Sequence, residues 1–212
     1  MVSRPEPRTV TVLLFDGFEV LDVFGPVEIF SKVPDWTIEF AGPVAGDFVR
    51  SAQGAEILAP LSLADISQRP GGVDILLVPG GKGRISLVTQ PRSLALIKAA
   101  AQNSTIVSTV CTGSGILAAA DALQGKKATS NKLAWDWVIT QGENVTWVPE
   151  ARWVVDGNLW SASGVAAGMD AAHALVSALV GSSVADEIAN AIELEVHRDP
   201  NWDPFARIHG TV

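Results

Sequence analysis

The sequence predicts an α/β fold with a mainly parallel central sheet. Short apolar segments alternate along the chain with helix-like segments. The apolar segments are continuous runs rather than alternating patterns, which is typical of strands covered on both faces. No repeat, linker or low-complexity block divides the 212 residues. We therefore expect one domain over residues 1–212, with a core at 9–190 and a C-terminal tail at 198–212.

The first half of the chain supplies the first strands of this sheet. Val10 to Phe15 is a short apolar strand, and Asp16-Gly17 forms the turn after it. Pro26 is expected at the first position of the next helix, where a missing N–H is tolerated. The further elements predicted here are a strand at 36–40, a hairpin within 43–60, a helical turn at 62–66 capped by Ser62, a buried strand at 73–79 and a helix at 94–101.

The second half continues the alternation. The dipeptide Asp156-Gly157 is a hairpin signal between two short strands. Ser182 or Ser183 is expected to cap the last helix, which should end near His197. The elements predicted are strands at 105–110, 127–129, 145–148, 153–155 and 159–161, and helices at 113–120, around Trp135 and Trp137, and at 165–180. The tail has little periodicity and is expected to wrap the surface.

Composition limits the classes of partner. The net charge of −8 argues against nucleic acid and anionic membranes as partners. No apolar run approaches the roughly 18–20 residues of a membrane helix. One cysteine cannot form an internal disulfide, and the polar segment Met1 to Arg8 does not have the pattern of a signal peptide. We therefore expect a cytoplasmic protein.

Cys111 is the strongest candidate for a catalytic residue. It follows the β-branched run Ile106 to Val110 and precedes the small-residue run Gly113 to Ala120, so it lies where a strand turns into a helix. The partial positive charge of a helix N-terminus favours a thiolate, so the pattern predicts a lowered pKa for this thiol. The same geometry exposes the nucleophile of hydrolase elbows, where the next amide, here that of Thr112, stabilises an anion.

A second candidate segment is Pro79-Gly-Gly-Lys-Gly83, directly after a buried strand. It lacks the spacing of a P-loop, but Gly80 and Gly81 allow backbone amides to approach a substrate closely. We predict that Gly81 N–H is the second oxyanion donor. The run Gly113-Ser-Gly-Ile-Leu-Ala118 matches a dinucleotide pattern, but no acid closes the next strand, so tight helix packing explains it better.

Asp22 is the acid that most needs an explanation. It lies inside the apolar run Val20 to Phe24, where a carboxyl must cap a helix, pair with a charge or be protonated. Asp16 and Glu19 are expected to be ordinary turn and surface residues. His173 is expected to be a satisfied core or surface group. No His, Cys or acidic spacing indicates a metal site, and we expect no cofactor.

Five segments, in order, resemble the ThiJ/PfpI superfamily, most closely its isonitrile hydratase branch. They cover about residues 9 to 190. The segments are Phe15-Asp-Gly-Phe-Glu-Val-Leu-Asp-Val-Phe-Gly-Pro26, Asp74-Ile-Leu-Leu-Val-Pro-Gly-Gly81, Ser108-Thr-Val-Cys-Thr-Gly-Ser114, Leu123-Gln-Gly-Lys-Lys-Ala-Thr129 and Asp156-Gly-Asn-Leu-Trp-Ser-Ala-Ser-Gly-Val-Ala-Ala-Gly-Met-Asp170. The resemblance implies a flavodoxin-like three-layer sandwich, a nucleophilic Cys111 in an elbow, and a homodimer.

The resemblance also implies an activity. An enzyme of this branch adds water to an isonitrile to give an N-substituted formamide, with Cys111 as nucleophile and Asp22 as proton donor where many members have a glutamate. Thr112, Gly80 and Gly81 would bind the intermediate. Many members also carry a histidine where this chain has Asn131, which weakens any chemistry that needs a histidine base.

Two alternatives remain open from the sequence. One is a glyoxalase-like or other hydratase or hydrolase acting on a different small electrophile. The other is a redox-sensing or protective protein that acts through oxidation of Cys111 without turnover. A DNA-binding regulator is disfavoured by the negative net charge and the lack of a basic helix.

Overall fold

The computed structural model describes residue 6 and residues 8–212, so most of the polar N-terminal segment lies outside the described residues. The strands are β1 (Arg8–Leu13), β2 (Trp36–Gly42), β3 (Asp47–Arg50), β4 (Glu56–Ala59), β5 (Leu61–Ser62), β6 (Val73–Val78), β7 (Ser104–Thr109), β8 (Lys127–Ala128), β9 (Thr146–Trp147), β10 (Trp153–Asp156) and β11 (Leu159–Ala162). The helices are α1 (Val20–Phe30), α2 (Leu63–Ser67), α3 (Arg84–Leu87), α4 (Pro91–Gln102), α5 (Gly113–Ala119), α6 (Trp135–Ile139), α7 (Ala167–Val180), α8 (Ser182–Ala191) and α9 (Phe205–Ile208).

A seven-stranded sheet organises the molecule, in the order β10-β11-β7-β6-β1-β2-β5. Every neighbouring pair in it is parallel except β10 and β11, which form the antiparallel hairpin predicted at Asp156-Gly157. Val10 lies beside Ile75, and Ile75 beside Ile106, so the three central strands share one apolar layer. The parallel α/β sheet predicted from the sequence is confirmed.

Helices cover the sheet in two groups. Helix α7 packs against both α1 and α8, and α4 packs against both α2 and α5. In β6, consecutive residues from Ile75 to Val78 are buried, so side chains on both faces of the strand are covered. The two groups therefore occupy opposite faces, which is the three-layer flavodoxin-like arrangement.

Helix α1 begins earlier than predicted. It starts at Val20, which places Pro26 inside the helix rather than at its first position. The Glu19 amide donates to the Gly80 carbonyl. This contact between the loop after β1 and the loop after β6 fixes the start of the helix. Pro26 has no N–H to donate to the carbonyl of Asp22, and α1 still continues to Phe30 because its apolar side is buried.

The last long helix ends earlier than predicted. Helix α8 stops at Ala191 rather than near His197, because Glu193 adopts a left-handed φ of 53° that ends the helical turn. The tail contains one further helix, α9, at Phe205–Ile208. The predicted hairpin (β3–β4) and the predicted cap at Ser62 are confirmed, but the cap predicted at Ser182 or Ser183 is wrong, because Gly181 occupies the N-cap position of α8 and no side chain caps it. Among the described residues, no helix is both long and apolar enough to cross a membrane.

Close packing at Gly168 brings α7 against the elbow strand. A Cβ built on Gly168 would lie 2.9 Å from both γ carbons of Val110 and 3.3 Å from Cγ of Pro26. Those contacts are tighter than ordinary van der Waals distances, so a side chain here requires its neighbours to move. Gly168 therefore sets how closely α1 and α7 approach the residue that precedes Cys111.

This packing gives a stability prediction. Gly168→Leu should lower the free energy of unfolding by about 1–3 kcal/mol, because it overfills a packed interior. Ala178→Leu, at an exposed position of the same helix, should change it by no more than about 0.5 kcal/mol. Urea unfolding followed by tryptophan fluorescence measures both. Equal effects of the two substitutions would show that the contact at Gly168 is not tight.

Candidate active site

Cys111 occupies a strained turn between β7 and α5. Its φ is 58°, in the left-handed region that costs a non-glycine residue roughly 1–2 kcal/mol. Its N–H donates to the Ser163 carbonyl at 2.9 Å, and its own carbonyl accepts from Ser130 Oγ at 2.7 Å. Two separate loops therefore hold the strained residue, and the nucleophile elbow predicted from the sequence is present.

The sulfur of Cys111 is nearly enclosed. Burial, and secondarily the negative charge of Asp22, raise the pKa of the thiol to about 12. The Thr112 amide, the Val165 amide and the Thr112 hydroxyl act on the sulfur as hydrogen-bond donors and lower the pKa, but less strongly. The sequence-based expectation of a lowered pKa is therefore wrong, because the loss of water around the sulfur outweighs these donors and the N-terminus of a short helix.

Asp22 is fully buried on α1 beside the thiol. Its Oδ2 accepts the Gly80 N–H at 2.9 Å. Burial, followed by the negative charge of Glu19, raises the pKa of Asp22 to about 8, although the Gly80 bond and an interaction with the Cys111 thiol lower it. Among the described residues, Oδ1 has no conventional hydrogen-bond partner. Burial therefore favours the protonated form of this carboxyl near neutral pH, and its Oδ1 is enclosed without such a partner.

Gly80 and Gly81 organise the acid and the threonine. A Cβ on Gly80 would lie 2.5 Å from Thr112 Oγ1 and 3.1 Å from Asp22 Oδ2, so no larger residue fits there. The Gly81 amide donates to Thr112 Oγ1 at 3.2 Å. Both amides thus orient side chains of the site. Their direct contact with a reaction intermediate stays a prediction.

Asp22 and Cys111 titrate as one unit because they are buried in contact. Two negative charges in this enclosure are strongly disfavoured, so the pair holds two protons at neutral pH and loses the first near the value of about 8 that Asp22 carries. The resulting single charge has two arrangements: a thiol with a carboxylate, or a thiolate with a carboxylic acid. The second contains a nucleophile and a proton donor side by side.

The histidines lie outside this pair. His173 is buried and contacts Asp186 at 2.9 Å, which confirms that it is a satisfied core group, and His197 contacts the Asp199 carbonyl. Asn131 accepts the Ala134 N–H at 2.9 Å through Oδ1. It therefore stabilises the start of the next turn and cannot act as a base. Within the described part of the chain, no cluster of three or more metal-ligating residues occurs.

The other acids of the first loop have structural contacts. Asp16 Oδ1 accepts the Arg50 N–H, and Glu19 Oε1 accepts from the amide of Gln53. Both interactions attach the hairpin β3–β4 to the loop before α1. They agree with the expectation that Asp16 and Glu19 are ordinary residues, although the charge of Glu19 also acts on Asp22.

A cavity of about 280 Å³ adjoins the elbow. Its walls come from the two loops that hold Cys111 and from the C-terminal tail, and they are largely apolar. The lining residues are Asn131, Lys132, Leu133, Ser163, Gly164, Val165, Ala166, Phe205 and His209. The cavity shares Ser163 and Val165 with the backbone that supports Cys111, whereas Cys111, Asp22 and Thr112 are not among its lining residues.

Several of these residues were not found from the sequence. Ser130, Ser163 and Val165 act on Cys111, two of them through backbone atoms that no side-chain pattern reports. Phe205 and His209 belong to the tail, which was expected to wrap the surface and not predicted to line a cavity. The available signal was the small-residue segment Ser163-Gly-Val, which follows β11 at the same sheet edge as the elbow.

A buried cysteine at a strand-to-helix turn, with a protonated carboxyl at its sulfur, defines an α/β protein with a cysteine nucleophile elbow. The model of the DJ-1/PfpI family matches residues 8–178, and the chain belongs to that family. Isonitrile hydratase from Pseudomonas putida is 34% identical over 166 residues, covering 77% of this chain and 68% of the relative.

Other relatives differ in their described activities. A deglycase from Thermococcus kodakarensis is 29% identical over 154 residues, covering 73% of this chain and 88% of the relative. The crystal structure of a ThiJ/PfpI family protein from Pseudomonas syringae matches with a TM-score of 0.82 at 26% identity, covering 99% of this chain and 86% of that one. The family therefore includes members described as different enzymes.

The raised pKa of Asp22 makes a prediction about stability. Its folded pKa of about 8 lies above its ordinary value of 3.8, so between these values the folded protein holds a proton that the unfolded chain has lost. This contribution to stability falls as pH rises through that window, by up to about 1.4 kcal/mol per pH unit. Asp22→Asn removes this contribution. The free energy of unfolding of the variant should therefore increase relative to that of the wild type as pH rises from 5 to about 8.

Urea unfolding at several pH values tests this expectation. Asp136→Asn, at an exposed position on α6, is the matched control and should follow the wild type at every pH. A constant difference between Asp22→Asn and the wild type across the window would contradict a protonated Asp22.

Proposed function

We propose that this protein is a cysteine-dependent hydratase that converts an isonitrile into an N-substituted formamide. The observation that carries the proposal is the Asp22 carboxyl beside the Cys111 thiol: its burial favours the protonated form, and its Oδ1 has no conventional hydrogen-bond partner among the described residues. Hydration of an isonitrile needs a nucleophile and one group that donates and recovers protons. The name of the Pseudomonas putida relative supports the same reaction.

The first step forms a bond between sulfur and carbon. The Cys111 thiolate attacks the terminal carbon of the isonitrile, and the electron pair left on that carbon takes the proton of Asp22. The product is a thioimidate attached to Cys111, and Asp22 becomes a carboxylate. The amide and hydroxyl of Thr112, which already act on the sulfur, stabilise the thiolate before attack.

The second step consumes water. The Asp22 carboxylate takes one proton from water as its oxygen attacks the thioimidate carbon, and the nitrogen receives that proton through Asp22. Collapse of the adduct forms the carbonyl, expels the Cys111 thiolate and returns the hydroxyl proton to Asp22. Carbon and nitrogen each gain one hydrogen, so isonitrile plus water gives the formamide and both residues return to their starting states.

The cavity favours a small substrate with an apolar substituent. Leu133, Val165 and Phe205 form much of its wall, and its volume of about 280 Å³ accommodates a small organic group beside the elbow. Such a group is held by burial rather than by charge.

A glyoxalase-like activity is the second candidate, because a relative is described as a deglycase. It is less well supported, since the histidine that many members place beside the cysteine is replaced here by Asn131, which is occupied with Ala134. A redox-sensing role needs an exposed thiolate of low pKa. The raised pKa and burial of Cys111 disfavour it.

Formation of the formamide from a small alkyl isonitrile, followed by proton NMR, tests the proposal. Wild type should turn over, Cys111→Ala should form no product above the uncatalysed rate, and Asp22→Asn should lose about 10²–10⁴ in kcat, the usual contribution of a general acid or base. Asp136→Asn should retain full activity. Formamide production by Cys111→Ala above the uncatalysed rate would contradict the proposed mechanism.

Parallel assays separate the alternatives. If the protein forms lactate from methylglyoxal faster than it forms formamide from an isonitrile, the glyoxalase hypothesis is favoured. Intact mass after mild peroxide, with turnover measured on both forms, tests the redox reading. If Cys111 is readily oxidised to a sulfinate and the protein turns over neither substrate, the redox hypothesis replaces our proposal.

A further inference from the structure

The C-terminal tail places a buried carboxylate behind the elbow. Asp203, just before α9, is almost fully buried, and its Oδ2 accepts a short hydrogen bond from Ser163 Oγ. Its Oδ1 accepts the Phe205 N–H at 3.1 Å. Two cations stand further away, with Lys132 Nζ 3.8 Å from Oδ2 and Arg152 Nη1 3.9 Å from Oδ1. The closest partner of Asp203 is therefore a serine of the loop that holds Cys111.

Ser163 connects this carboxylate to the nucleophile. Its carbonyl accepts the Cys111 N–H at 2.9 Å, and its own N–H donates to the Arg152 carbonyl at 2.8 Å. Two residues further on, the Val165 amide acts on the Cys111 sulfur. A change in the position of Ser163 thus moves both the support of the strained backbone and a donor to the sulfur.

Lys132 attaches the second supporting loop to the same cluster. Its buried ammonium donates to Thr129 Oγ1 at 2.7 Å, to the Ser130 carbonyl at 3.0 Å and to the Ala151 carbonyl at 2.9 Å. Ser130 is the residue whose hydroxyl donates to the Cys111 carbonyl. Both loops that hold Cys111 therefore meet at the charges around Asp203.

We propose that Asp203 is a positioning residue for the Cys111 nucleophile and acts through Ser163. It makes no hydrogen bond with the sulfur and does not line the cavity itself, although its partners Ser163, Lys132 and Phe205 do. Its hydrogen bond fixes Ser163 so that the backbone from 163 to 165 supports the left-handed Cys111 and directs the Val165 amide to the thiolate. The tail is in this way a component of the nucleophile's environment, whichever electrophile the enzyme accepts.

Stability alone is a poor explanation for this cluster. Buried ionic groups are costly to desolvate, and apolar residues of similar volume often serve stability as well or better. A carboxylate whose shortest side-chain bond is to Ser163, rather than to either cation, is arranged to orient that serine. The distinguishing property is therefore the reactivity of Cys111, not the melting temperature.

The test measures the ionisation of the protein's one cysteine. Ser163→Ala cuts the link with little change in volume and leaves Asp203 near its cations, and Asp203→Asn weakens the link from the other side. In each variant, the rate of Cys111 alkylation by iodoacetamide at pH 8 should fall about two- to tenfold, the equivalent of one hydrogen bond. The apparent pKa of the alkylation profile should rise, because the Val165 donor is less well directed.

Two controls make the result specific. Asp199→Asn changes an exposed acid of the same tail and should leave the profile unchanged. The double variant of Ser163→Ala and Asp203→Asn should be no slower than Ser163→Ala alone, since both substitutions break one path. Additive losses would overturn the assignment of Ser163 as the route.

Unfolding measurements on the same variants separate positioning from structure. If Asp203→Asn folds poorly, the Ser163→Ala profile alone decides the proposal. A wild-type alkylation profile in Ser163→Ala would overturn it, whatever happens to the unfolding midpoint. A raised apparent pKa together with a near-normal midpoint would support it.

Discussion

The burial of a carboxyl and a thiol in one small enclosure governs this site. Neither group has enough water around it to ionise easily, and the two cannot both be charged. The fold enforces the contact: α1 presents Asp22, the loop after β6 holds it through Gly80, and the turn after β7 presents Cys111. Three separate segments thus meet at the carboxyl ends of neighbouring parallel strands, where such sheets place their ligands.

Much of the fold could be predicted because it follows local rules. Continuous apolar runs indicated the central strands. The dipeptide Asp156-Gly157 indicated the turn between β10 and β11, and Ser62 indicated the start of α2. The prediction from Pro26 was wrong. The local preference of proline favours the first position of a helix, whereas the hydrogen bond from the Glu19 amide to Gly80 sets the start of α1 at Val20. The end of α8 depends on the left-handed conformation of Glu193, which cannot be predicted from a glutamate in the sequence.

The sequence could indicate candidate side chains for the site but not their environment. A lone cysteine between strand and helix, and an acid within an apolar run, made Cys111 and Asp22 candidates, and the structure places both in one buried enclosure. The direction of the cysteine pKa did not follow, because it depends on how completely the sulfur is enclosed, which is a property of the packed molecule. The supports from Ser163 and Val165 are contacts of backbone atoms distant in sequence, and Asp203 reaches Ser163 across 40 positions.

The left-handed backbone of Cys111 has an evolutionary consequence. At φ of 58°, glycine or asparagine would relieve strain that cysteine maintains, so the thiol is present here at a cost in stability. A lineage released from the need for the thiol would gain stability by drifting to glycine there. A glycine at the position of Cys111 in a relative would therefore indicate that the thiol is not needed there.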